Sequence, residues 1–188
     1  MRISGGKARG IHLTVLRGDR VRPATDGVRQ AVFSSLGARV EGARFLDLFA
    51  GSGAYGLEAL SRGAATGTFV EKNPAVLALL RQNIVTVAKS AGVDPAALSV
   101  IGADATDAPC NPGAWPDLIF IDPPYELIAD VGPRVLAAIA AWEVPDPDRL
   151  VVFEMPGGTV LTVPGWLEVK RLGRGARQPT VAFFRPRA

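Results

Sequence analysis

The chain has 188 residues, 48% of them hydrophobic, and a net charge of +3, which is enough for one domain with a full core and a small appendage. No apolar run reaches the roughly 20 residues of a membrane span, and the glycine-rich polar start from Met1 to Lys7 lacks the apolar stretch of a signal peptide. One cysteine, Cys110, and one distant histidine, His12, exclude an internal disulfide and supply no metal-ligand set, so a metal-free monomer in a reducing cytoplasm is expected.

Charge is uneven. Before Phe45, nine basic residues (Arg2, Lys7, Arg9, Arg17, Arg20, Arg22, Arg29, Arg39 and Arg44) face Asp19, Asp26 and Glu41, and the C-terminal end is basic again from Lys170 to Arg187. Two basic ends around a near-neutral centre suit an anionic polymer held beside a neutral reaction site, or else simply a solvated arginine surface.

In chain order, short apolar pieces up to about Val21 alternate with Gly and Arg, which predicts a small β-hairpin outside the main core. Residues 1–22 are therefore an expected extension and 23–188 the main domain. Thr25 or Asp26 should cap a helix with Val28, Ala31, Val32 and Leu36 on one face, stopped by Gly37. Arg22 and Arg29 fall off that stripe, free to reach phosphates. From Arg44, strands alternate with helices, the mark of an α/β fold with a mostly parallel sheet covered on both faces. Strands are expected at 45–49, 66–71, 98–102, 117–121 and 150–154, and helices at 54–62, from Asn73-Pro74 through Ala88, and around 128–139. Beyond Gly158 the segments 160–163, 167–172 and 181–184 read as strands closing the sheet with antiparallel edges.

Strand one runs into Gly51-Ser52-Gly53-Ala54-Tyr55-Gly56, a G-x-G-x-x-G turn entering a helix, and Glu71 lies at the end of strand two, where a ribose-binding acid belongs. The arrangement predicts an adenosine cofactor. Asp47, inside strand one, would repel a pyrophosphate but attract the ammonium and sulfonium of S-adenosylmethionine. Its structural alternative is a buried acid capping the turn's own amides. Asp104, after strand three, could accept from an adenine amine, or serve as a helix N-cap.

The apolar run Leu118-Ile119-Phe120-Ile121 closes on Asp122-Pro123-Pro124-Tyr125. Proline donates no backbone hydrogen bond, so the Asp122 and Pro123 carbonyls can face a ligand where the strand stops. Tyr125 offers a flat face for a nucleobase. Asp-Pro is also ordinary turn chemistry, but this turn ends a strand on the same sheet edge as the glycine turn.

With these motifs the chain resembles the class I S-adenosylmethionine-dependent methyltransferases that act on amino groups. Within them it is similar to the RsmD family, bacterial enzymes that methylate N2 of one guanine in 16S ribosomal RNA. The likeness rests on Arg22-Pro23-Ala24-Thr25-Asp26 with Val28-Arg29, on Leu46 to Gly53, on Gly56 to Ala64, on Phe69-Val70-Glu71-Lys72-Asn73 and on the Asp-Pro-Pro-Tyr turn. Gly27 and Gln30 depart from the arginine and glutamate expected at those positions. The resemblance implies a Rossmann-like fold with a seven-stranded sheet. It implies S-adenosylmethionine held by Asp47, Phe49, Ala50, Gly51, Ser52, Gly53, Glu71, Lys72, Asn73, Asp104 and Ala105, and catalysis at Asp122, Pro123, Pro124 and Tyr125. RNA would be contacted by Arg9, Arg22, Thr25 and Arg29, the partner being 16S RNA or the assembled small subunit. A DNA adenine-N6 methyltransferase uses the same four catalytic residues, and a non-catalytic RNA-binding module with a vestigial cofactor site is the other alternative.

Overall fold

A computed structural model describes residues 1–16, 25–106, 115–142, 146, 148–173, 175 and 178–187. Arg22 lies outside the described residues, as do Arg17, Arg20 and Cys110. Seven strands form one sheet in the order β3-β2-β1-β4-β5-β7-β6: β1 (Arg44–Leu48), β2 (Thr66–Val70), β3 (Leu98–Ile101), β4 (Leu118–Ile121), β5 (Leu150–Met155), β6 (Trp166–Leu172) and β7 (Thr180–Pro186). The first five pair in parallel, and β7 enters antiparallel between β5 and β6. The expected sheet, antiparallel edge included, is the observed one.

The reason is legible in β4. All four of its residues are buried, as a central parallel strand with helices on both faces requires. Phe45, Phe69, Phe120 and Val152 face one core with helices α1 (Thr25–Leu36), α2 (Ala54–Ser61) and α3 (Pro74–Ala91). Leu46, Ile119, Ile121 and Phe153 face the other, against α4 (Ile128–Ala140). Gly56 permits the close approach of α2, since a Cβ there would meet the Phe69 and Phe45 rings at 2.4 and 2.6 Å.

Two expectations need correction. The segment 160–163 is not a strand. Its alternation is real, with Val163 buried in the α4 core and Val160 78% exposed, but a pleat pattern does not supply a ladder partner, and β7 pairs with β6 instead. The N-terminal segment does turn back on itself, with an antiparallel bridge Arg2–His12 and the Ile3 N–H donating to Ile11 at 2.9 Å. Yet it does not stand outside the core: Ile3, Ala8 and Leu13 are buried in the same cluster as α1, α2 and α3. Their spacing of five residues matches neither period 2 nor 3.6, so the pattern hides a buried face.

Candidate active site

The carboxyl ends of the parallel strands deliver four acids to one place. In register, Asp47 of β1 sits opposite Phe69 and Phe120, whose rings belong to the α1–α3 core. Glu71, Asp122 and Glu154 lie two residues beyond Phe69, Phe120 and Val152, on the same side of the pleat. All four line one cavity of about 830 Å³, together with Phe49, Ala50, Gly51, Ser52, Lys72, Asn73, Ala105 and the whole Asp122–Tyr125 turn. The glycine turn and the Asp-Pro-Pro-Tyr turn therefore share a single site.

The turn after β1 is built from left-handed backbone. Phe49 has φ 60°, Gly51 54° and Gly53 83°. An aromatic residue in that region is strained and persists only where its surroundings hold it. A Cβ on Gly53 would meet the Leu80 side chain at 2.6 Å, whereas one on Gly51 would meet only the Phe49 carbonyl, at 3.9 Å. Gly53 thus serves packing, and Gly51 is where a ligand can come close to the backbone.

Asp47 is buried and its Oδ2 accepts the Gly56 N–H at 2.9 Å. This is the amide-capping contact, on a side chain that also lines the cavity. Burial pushes its carboxyl up to about 8, the Gly56 N–H opposing and the Glu71 charge adding. Glu71 ties β2 to the glycine turn: one oxygen accepts from Gly51 N–H at 3.0 Å and the other from Asn73 N–H at 2.8 Å. Asn73 caps α3 through the amides of Ala75 and Val76, with Pro74 in the first turn. Among the described residues, no helix opens at Asp104. It accepts from the Thr106 N–H and hydroxyl and from Lys72, which hold its carboxyl down to about 2. The cavity wall beside it is formed by Ala103 and Ala105.

Three contributors escaped the sequence reading. Glu154, in the wholly buried strand β5, receives the Tyr55 hydroxyl at 2.6 Å, and the Tyr125 hydroxyl stands 3.5 Å from its other oxygen. Tyr55 of α2 stacks on Phe120 with centroids 5.4 Å apart. Burial, and then the charges of Glu154 and Asp122, push its hydroxyl well above the ordinary range. An acid in an otherwise apolar strand was the available signal for Glu154. The third contributor is the N-terminal segment, whose Met1, Thr14, Val15 and Leu16 form part of the cavity wall. Asn83 fixes it there, donating to the carbonyls of both Thr14 and Ser52 and accepting the Thr14 N–H at 2.8 Å.

Among the residues expected at RNA, Arg9 is exposed and Thr25 opens α1. Arg29 is a correction. It is 1% exposed, with Nε on Glu58 at 3.2 Å and Nη2 on Asp26 at 2.8 Å and on the Arg2 carbonyl. Glu58, also buried, accepts from Ser4 and Arg62 as well. Helical periodicity placed Arg29 off the apolar stripe of α1, but the N-terminal segment covers that flank. This guanidinium is a structural tie and not a free phosphate ligand.

The donor set fits S-adenosylmethionine better than a phosphate-bearing cofactor. The cavity wall carries Asp47, Glu71, Asp122, Glu126 and Glu154 against Lys72, and a buried carboxyl pushed up to about 8 favours a cationic neighbour.

The family model described as "Conserved hypothetical protein 95" matches residues 1–183. "Ribosomal RNA small subunit methyltransferase D" of Escherichia coli K12 is 39% identical over 125 residues, 66% of this chain, and the chain spans 60% of that relative's length. The protein of the same name from Haemophilus influenzae is 30% identical over 176 residues, covering 93% of this chain and 89% of that one. Among solved structures, "Putative methyltransferase yhhF from Escherichia coli" superposes with a TM-score of 0.81 at 30% identity, over 99% of this chain and 97% of that one. The chain belongs to the Conserved hypothetical protein 95 family, the RsmD family of methyltransferases that its motifs resemble.

Proposed function

We propose that the protein transfers a methyl group from S-adenosylmethionine to the exocyclic N2 amine of a guanine in 16S ribosomal RNA. The observation that carries this reading is the shared cavity: the acidic glycine-turn site and the Asp122–Tyr125 turn open into the same space. Bound there, S-adenosylmethionine supplies an electrophilic methyl on a sulfonium that departs as a neutral thioether. Asp47 and the turn Phe49-Ala50-Gly51-Ser52, with Gly53 packed beneath it, would hold its cationic end, and Glu71 its ribose hydroxyls. Lys72, Asn73 and Ala105 would line the adenine side, with Asp104 holding Lys72 in place.

The chain's own task is to prepare a weak nucleophile. The guanine amine is delocalised into its ring. Acceptance of its two hydrogens by the Asp122 carboxylate and the Pro123 carbonyl lets the nitrogen pyramidalise and turn its lone pair toward the methyl. The proton becomes acidic as the N–C bond forms, so Asp122 need only hold and relay it. Positioning two reactants in line is worth up to roughly 7–11 kcal/mol. Tyr125 would stack on the base, which must leave its helix or already be looped out. The exposed Arg9, with Arg22 and the Thr25 end of α1, would grip the RNA backbone.

The test incubates the protein with methyl-labelled S-adenosylmethionine and, separately, with 16S RNA, undermethylated small subunits and duplex DNA. N2-methylguanosine in the RNA arms is the expected product. N6-methyladenine in the DNA arm, or no transfer at all, would overturn the reading.

A further inference from the structure

Glu154 is the buried acid of the cavity that neither cofactor binding nor amine activation uses. Strand β5 is buried at every position, and Glu154 is 4% exposed there, a costly place for a carboxylate without a purpose. The parallel register Ile121↔Phe153 sets it beside Asp122 at the next step along the sheet. One of its oxygens receives the Tyr55 hydroxyl at 2.6 Å, and Tyr55 is itself pinned against Phe120. The other oxygen lies 3.5 Å from the hydroxyl of Tyr125, the ring on which the base would stack. Each carboxylate oxygen can accept more than one hydrogen bond, so Glu154 is oriented from within the core and still able to accept from a base in the cavity.

Three residues that carry acceptors line the one cavity: Asp122 and Glu154 with their carboxylates and Pro123 with its carbonyl. A guanine edge presents three N–H bonds on neighbouring atoms, two at N2 and one at N1. An adenine edge presents two at its amine and a bare lone pair at N1. We propose that Glu154 is a specificity-determining residue, whose carboxylate accepts the N1–H of the guanine while its amine is methylated and repels the N1 lone pair of adenine. This inference rests on the guanine-methylation reading, and it supplies the choice of base that the Asp-Pro-Pro-Tyr turn alone leaves open.

The experiment places guanine or 2-aminopurine at the methylated position of the RNA and compares kcat/KM for the wild-type protein and for E154Q. 2-Aminopurine keeps the 2-amine but has a lone pair at N1. The wild type is expected to prefer guanine on the order of 100-fold, as for a buried acceptor left facing an acceptor. In E154Q the amide can still accept from Tyr55 and turn its N–H toward N1, so the preference should fall at least tenfold. Each ratio is taken within one protein, which removes losses of folding or of cofactor binding. Comparing the ratios between proteins removes the intrinsic difference between the two amines. Equal wild-type use of both bases would overturn the proposal without help from any variant. E154Q lowering both substrates by one factor would make Glu154 a support for Tyr55 and nothing more. A wild type that makes no N2-methylguanosine on the guanine RNA would overturn the parent reading, and this inference with it.

Discussion

Helix α2 meets two buried carboxylates that have been settled in opposite ways. Its own Glu58 takes the guanidinium groups of Arg29 and Arg62 and the Ser4 hydroxyl and N–H. Asp47 meets the start of the same helix at the Gly56 N–H, with no ion-pair partner among the described residues and with Glu71 as an acidic neighbour. The first carboxylate is complete within the chain and fastens the N-terminal segment to the core. The second is incomplete within the described residues, and burial beside Glu71 pushes its carboxyl up. A buried acid that brings its own cations is architecture, and one that lines a cavity without them is open to a ligand.

The comparison can be broken at several points. The largest effect should come from Asp122→Ala, which is expected to cost about 10²–10⁴-fold in methyl transfer while S-adenosylmethionine still binds. Equal loss of binding, measured by titration calorimetry, would remove Asp122 from amine activation. Next is Glu58→Ala, which strands Arg29 inside the core and should destabilise the fold by about 3–5 kcal/mol in chemical denaturation. A loss below about 1 kcal/mol would show that the cluster is not architecture.

Asp47 supplies the pH test. In the folded chain it keeps its proton up to about pH 8, whereas its unperturbed value is 3.8. Between those values the folded state binds the extra proton, so ligand-free stability should fall as pH rises, by on the order of a few kcal/mol in all. Asp47→Asn should flatten that slope. A cationic ligand favours the ionised form, so S-adenosylmethionine binding below pH 8 should release a proton, visible as a buffer-dependent heat, and tighten as pH rises. No proton release would separate Asp47 from the ligand.

Smaller effects are expected at the RNA side. Tyr125→Ala should lose about 1–3 kcal/mol of base stacking, and Tyr125→Phe should keep it. Arg9→Ala should weaken RNA binding slightly and reduce its salt slope by about one. An unchanged slope would move the phosphate grip away from the exposed N-terminal loop.

The local signals were sufficient where function needs a peculiar residue at a strand end. The run of Leu118 to Ile121 marked a strand buried on both faces, Asn73-Pro74 marked the start of α3, and the strand–glycine–helix spacing marked a cofactor turn with Glu71 in place. These follow from short-range physics: periodicity, capping and the freedom of glycine. Tertiary structure alone decided which charges are spent inside the fold. Arg29 looked like a free phosphate ligand because helical periodicity is blind to a segment arriving from elsewhere, and Ser4 and Arg2 cover it. Asp104 reads in the sequence as an adenine acceptor or a cap, and only the fold brings Lys72 and Thr106 onto it. Glu154 passed as the end of a strand, because the side chain that orients it, Tyr55, lies 99 residues earlier in the chain. Local motifs follow from neighbours in sequence, but the partner of a buried charge depends on which distant element the fold lays against it.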